Sequence, residues 1–184
     1  MSLRKLRFHE RKLLRKVDFV QYKGEKHVRE LKIMRMYGIT DREDYQTYNS
    51  LAGEVKHLAN TLLKLEVSDR VRIETTDHLV EKLYNMGIIP TRSSLVQCQQ
   101  VTASSFCRRR LPVVLVKLRM SQSVSRATEL IEQGHVRVGP NVITDPAFLV
   151  TRTMEDFVTW VHNSKIRRHI ATFNDVVDDY ELDG

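Results

Sequence analysis

RRRLPVVLVKLRMSQSVSRATELIEQGHVRVGPNVITDPAFLV, residues 108–150, closed by MEDFVTWV at 154–161, is the stretch whose periodicity settles the architecture. Leu111, Leu115 and Leu118 recur at helical spacing on one face, and Lys117 and Arg119 fall on the other. A serine-rich turn then opens a second helix, with Val124, Ala127, Leu130 and Ile131 directed inward. Gly134 stops it, at a position suited to positive φ. Val136 and Val138 alternate with His135 and Arg137, the period of a half-buried strand. Gly139-Pro140-Asn141 makes the turn and Val142-Ile143 starts the return, since Pro140 has no N–H to give a central strand. The expected unit is two short helices packed on a short, mainly antiparallel sheet.

Upstream of it the pattern is helical. Thr40 and Glu43 have capping-box spacing ahead of Tyr45, Tyr48, Ala52, Val55, Ala59 and Leu62, with Leu51, Leu58 and Leu65 alongside, so a long helix with a broad apolar face is expected. Another is expected from about Thr76 to Met86, where Leu79, Val80, Leu83 and Tyr84 form a stripe that Gly87 and Pro90 terminate. In the first segment Arg11, Lys12, Arg15 and Lys16 recur at helical spacing, and Leu13, Leu14 and Val17 lie on another side, the pattern of a basic amphipathic helix. The fold class is therefore α+β. Its expected parts are a basic arm and helix at 1–36, a helical module at 37–107, the two-helix and sheet unit at 108–161, and a C-terminal helix with an acidic tail at 162–184.

Charge narrows the partner. The 184 residues carry a formal net charge of +7, and 41% of them are hydrophobic, enough for a core. Residues 1–36 hold twelve Lys or Arg against four Asp or Glu, whereas the last eleven residues hold five acidic side chains and no basic one. A basic arm and an acidic tail on a folded middle suit a protein that threads into an assembly by its ends, whereas the acidic tail taken alone reads as a solvated, frayed end. No run of eighteen apolar residues is present and the start lacks a secretory pattern, so an intracellular protein without membrane spans is expected. Cys98 and Cys107 are too few for a disulfide framework or a zinc site and read as reduced, buried thiols. The seven histidines show no ligand spacing, and neither metal nor cofactor is expected.

The cations of residues 108–137 stand where a phosphate backbone is readily met. Ser123, Ser125 and Arg126 fall at the opening of the second helix, where free N–H groups and the helix dipole favour an anion. Arg108, Arg109 and Arg110 precede the first helix, and Arg137 projects from the first strand. Such a surface suits folded RNA, which proteins read by shape, phosphates and the wide minor groove. Arg4, Lys5, Arg11, Lys12, Arg15 and Lys16 of the arm add phosphate-neutralising charge.

The order Arg-x-Leu, then SxSRAxxLIxxGHVxVG, a hairpin and the closing DFVTW resembles the S4 RNA-binding domain over residues 108–161. More widely, RKLRFHERKLLRKVDF, REDY, GIIPTRSSL, VTASSFCRRRLPVVLVKLRM and TDPAFLVTRTMEDFVTWV resemble the S4-like Imp subunits (Imp3-type) of the U3 small nucleolar ribonucleoprotein. That resemblance implies a nucleolar factor of the nucleus, which acts with U3 small nucleolar RNA on precursor ribosomal RNA and joins a scaffold protein subunit of the U3 particle (Mpp10-type). Carried over by position, its RNA face includes Arg110, Lys117, Ser125, Arg126, His135 and Arg137. Pro112 departs from the S4 pattern, where an acidic residue follows the Arg-Leu pair, and Gly139-Pro140-Asn141 replaces an Asn-Gly-Lys turn.

The expected role is a non-enzymatic RNA adaptor that lowers repulsion between two RNAs. Its main alternative is a structural protein of the mature small ribosomal subunit. Catalysis is disfavoured because neither a phosphate-binding loop nor a dinucleotide glycine fingerprint is present. Membrane anchoring by the arm is disfavoured as well, since His9, Glu10 and Asp18 interrupt its charge.

Overall fold

The computed structural model of the chain describes residues 7–16 and 25–174, among which lie ten helices and one three-stranded sheet. Helices α1 (Phe8–Lys16), α2 (Glu25–Tyr37), α3 (Arg42–Lys64) and α4 (Arg70–Asn85) come first, followed by the short α5 (Val96–Gln99) and α6 (Ala103–Cys107). Tyr48, Ala52, Ala59 and Leu62 form the buried stripe of α3, at helical spacing. The small Ala52 and Ala59 leave room for α5 and α6 against α3. Val80 and Leu83 of α4, Cys98 of α5, and Phe106 and Cys107 of α6 complete this first core.

Two expected helix starts are corrected. The N-cap of α3 is Asp41 rather than Thr40, and its side chain makes no capping bond. Glu43 and Asp44 in the first turn complement the dipole instead. Helix α4 begins at Arg70, six residues ahead of Thr76, because the Asp69 carboxylate accepts from the Val71 N–H at 3.0 Å. Its opening turns are exposed at Val71 and Ile73, so no apolar stripe announces them. The apolar face of α3 is also narrower than its leucines suggest, since Leu51, Leu58 and Leu65 are exposed.

The C-terminal unit follows the expected order. Helix α7 (Leu111–Lys117) packs on α8 (Val124–Glu132), and β1 (Val136–Val138) is central in a sheet ordered β2-β1-β3, with β2 at Asn141–Val142 and β3 at Val158–Trp160. Both pairings are antiparallel, with Arg137 opposite Val142 on one side and Thr159 on the other. Ser123 caps α8 by accepting from the Arg126 N–H at 3.2 Å, and Gly134 ends it at φ +72°. The second core gathers Leu111, Val114, Leu115, Ala127, Ile131, Val136, Val138, Val150 and Val158. Leu118 is excluded from it: α7 ends at Lys117 and Arg119 turns the chain at φ +59°, which leaves Leu118 exposed. The strand β2 starts at Asn141, one residue before the expected return. A single turn of helix, α9 (Arg152–Glu155), precedes β3, and α10 (Lys165–Phe173) follows it.

The two cores meet at residues 108–110, and the segment 147–155 locks the joint. The Leu111 N–H donates to the Phe148 carbonyl at 2.9 Å and the Val150 N–H to the Arg109 carbonyl at 2.8 Å. From α9, Arg152 donates to the carbonyls of Tyr84 (2.8 Å), Ile89 (2.7 Å) and Pro90 (3.3 Å) and lies 4.2 Å from the Tyr84 ring centre, with Arg92 at 4.4 Å from the same ring. Gly87, at φ +75°, lies under Arg109, and a Cβ there would stand 2.9 Å from the guanidinium. Both cysteines are free and buried in the first core, Cys107 directly ahead of this joint, and burial pushes the Cys107 thiol up to about 11.

Candidate RNA-binding surface

Helices α7 and α8 and strand β1 carry the expected contact residues, and the structure sorts them into two groups. Lys117, Ser125 and Arg126 are exposed, and Arg137 is half-buried on the face of β1 opposite Val136 and Val138. Arg126 is ion-paired at 2.7 Å with Glu129 one turn along, with 59% of its side chain exposed. A pair so open to water contributes about 0–1 kcal/mol, so exchanging Glu129 for a phosphate costs little. Lys117 pairs with Glu155 and is 63% exposed. Arg137 donates from Nε to the Thr159 hydroxyl at 2.9 Å, which fixes its stem and leaves the outer guanidinium nitrogens for other acceptors. His135 is half-buried, its Nδ1 3.1 Å from the Ser164 hydroxyl.

Arg109 and Arg110 leave the proposed face. Arg110 is 2% exposed, and its Nη1 donates to Asp44 Oδ2 at 2.6 Å and to the Tyr48 hydroxyl at 3.2 Å. Burial opposes its charge, but the bonds to Asp44 and Tyr48 outweigh that and raise its pKa. Arg109 is 8% exposed, donates from Nε to the Val150 carbonyl at 2.8 Å, and pairs with Glu155 at 3.0 Å. Neither guanidinium is presented to a ligand. Only Arg108 of the triplet is exposed, with its Nε 3.4 Å from the Tyr37 hydroxyl.

On the arm, Arg11 and Lys12 are exposed on α1. Arg15 and Lys16 lie in its last turn, with side chains outside the described residues, as are Arg4 and Lys5 altogether. Sequence reasoning passed over Arg119 as a contact. It is exposed just beyond α7, and its place two residues after the last helical residue, Lys117, was the available signal.

Glu155 serves both groups, since it holds the buried Arg109 and the exposed Lys117. Burial raises its pKa, but the hydrogen bonds from Lys117 and Arg109 prevail and the net shift is downward. A carboxyl with a depressed native pKa contributes stability above its unfolded value of about 4.3, and this is lost as pH falls through the lower native value. Glu155→Gln is expected to cost about 2 kcal/mol at pH 7 in urea unfolding, because it strips a buried arginine of its counter-ion. The gap to the parent protein should narrow as pH falls below about 4.3 and close only beneath the lower native value, where the carboxylate is protonated in both states. An equal gap at pH 7 and pH 3 would show that shape, not charge, sets the cost.

Comparison with known proteins fits this geometry. The Ribosomal protein S4/S9 N-terminal domain family matches residues 5–108 and the S4 domain family matches 109–156, so the boundary between them falls within the arginine triplet. The chain is 54% identical to the human U3 small nucleolar ribonucleoprotein protein IMP3, over 98% of this chain and 99% of that one. It is 47% identical to the Saccharomyces cerevisiae protein of the same name, with the same coverage of each chain. Small ribosomal subunit protein uS4 of Hyperthermus butylicus is more distant, at 29% identity over 76% of this chain and 78% of that protein. With both domain families matched in order and near end-to-end identity of this degree, the chain belongs to the IMP3 family of S4-domain proteins.

Proposed function

We propose that this protein is an RNA-binding component of the U3 small nucleolar ribonucleoprotein, the small-subunit processome of the nucleolus. It promotes pairing of U3 RNA with precursor ribosomal RNA for early 18S rRNA processing and small-subunit assembly. The reading rests first on the end-to-end likeness to relatives named as U3 small nucleolar ribonucleoprotein proteins. In physical terms, Lys117, Arg126 and Arg137 hold one structured RNA while the basic arm neutralises phosphates of a second strand. Fewer unscreened phosphates lower the repulsion between the two RNAs, and annealing then needs no nucleotide hydrolysis. A scaffold protein subunit of the U3 particle, Mpp10-type, is the proposed protein partner.

The test is annealing of a U3 RNA fragment to its precursor target, followed across a salt series. Removing residues 1–20, which hold seven Lys or Arg, is expected to slow annealing and flatten the plot of log affinity against log salt by at least about 2 units. If neither rate nor slope moved, the division of labour between arm and S4-type unit would be wrong. The distant likeness to uS4 favours a second reading, a structural protein of mature small subunits. Sedimentation separates the two: retention in translating ribosomes supports the structural role, and confinement to precursor particles supports assembly.

A further inference from the structure

The helix α10 lies outside the surface just described, yet it is built like a nucleic-acid contact. No Asp or Glu occurs between Asp156 and Asp175, whereas Lys165, Arg167, Arg168 and His169 fall within this one helix. At about 100° per residue, Lys165, Arg168, His169 and Thr172 share an arc of roughly 100°. All four are exposed, whereas Ile166, Arg167 and Ala171 are half-buried on the opposite side. The helix therefore turns a cationic stripe outward. No ion pair holds Lys165 or Arg168 among the described residues.

Its position is set by the sheet. Ser164 is buried at 4% exposure, caps α10 by accepting from the Ile166 N–H at 3.3 Å, and bonds His135 Nδ1 at 3.1 Å. The Val161 N–H donates to the His135 carbonyl at 3.0 Å, so α10 starts from the end of β1 that leads into Arg137. A ring adds to the charge. Phe173 is 84% exposed, and it lies one turn beyond His169, at the spacing that makes helical side chains neighbours. Cations that track a backbone beside an open aromatic face are what single-stranded RNA requires, since every base has a face to stack.

We infer that the outward face of α10 is a second RNA-contact element, which takes a single-stranded segment adjoining the structured RNA held by α7, α8 and β1. It rests on the RNA-binding reading above and adds the conformation of RNA recognised at this site. Lys165 and Arg168 contact phosphates, and Phe173 stacks on a base.

The experiment uses the full chain with three probes, a mixed-sequence single-stranded RNA oligonucleotide, an RNA hairpin without overhangs and poly-glutamate, across a salt series. Lys165→Gln with Arg168→Gln should weaken the single strand roughly 20-fold at 0.1 M salt and flatten its salt slope by about 1.4, the value for two lost phosphate contacts. Hairpin binding should hold. Phe173→Ala should weaken the single strand about fivefold at unchanged slope, because stacking releases no counterions. A charge-conserving Lys165→Arg, Arg168→Lys chain should keep the parent slope. An unmoved single-strand slope overturns the inference, as does equal weakening of both RNA probes, which would mark a general field. So does a loss confined to binding of poly-glutamate, which would assign the face to an acidic protein. Arg126→Glu with Arg137→Glu, run in parallel, reports on the hairpin: its silence counts against the proposed function and leaves the α10 result legible.

Discussion

Arg110→Ala is expected to lower the melting temperature by about 6–12 °C, the largest single effect that this structure implies. The side chain is 2% exposed, yet it carries a charge whose counter-ion, Asp44, comes from the first turn of α3. Truncation removes the pairing, opens a cavity beneath Tyr48, and leaves a carboxylate facing the joint between the two cores. Breaking one side of such a pair costs about 3 kcal/mol, and a chain of this size loses about 2–4 °C per kcal/mol. Asp44 keeps 30% of its side-chain exposure, which holds the estimate at the lower end for buried pairs. Arg110→Met combined with Asp44→Asn keeps volume and removes both charges, so it should recover most of the loss. Calorimetry of the single and double variants checks this, and a single-variant shift under about 2 °C would refute the role given to the pair.

Arg126→Glu with Arg137→Glu is expected to cost roughly 100-fold in affinity for structured RNA at moderate salt. Each reversal removes a charge-assisted contact and installs repulsion toward phosphate. Folding should be spared. The Arg126 pair with Glu129 is exposed, and Arg137 gives up only a hydroxyl contact to Thr159. Equilibrium binding alongside thermal melting separates the outcomes. Unaltered affinity with an unaltered melting temperature would remove α8 and β1 from the RNA face.

What the sequence disclosed was what neighbouring residues encode. The α8 helix was legible because its cap, its apolar stripe and its stop lie within a dozen residues, at Ser123, Ala127 through Ile131, and Gly134. The strand β1 was legible from alternation alone. The arginine triplet was not, because three consecutive cations read locally as surface. Arg109 and Arg110 find their acids 46 and 66 residues away, and nothing near the triplet encodes that meeting. The first turns of α4 were missed because they bury little, and Leu118 was misplaced because α7 stops one residue before it. The α10 cations stood in the sequence as KIRRH, but only the buried Ser164 and its bond to His135 place them next to β1.

The inward turn of Arg109 and Arg110 also sets an order of events during vectorial synthesis. When Arg110 leaves the ribosome, Asp44 is already waiting, so the second half can begin to dock as soon as it is made. Arg109 must wait another 46 residues for Glu155, and the carbonyls of Tyr84, Ile89 and Pro90 wait until Arg152 has emerged. A nascent chain halted before that point has the Arg110–Asp44 pair across the joint but lacks the bonds of Arg152 and Glu155, and its second core still misses Val158. Its arm, translated first and strongly cationic, would meet polyanions before the seam is sealed.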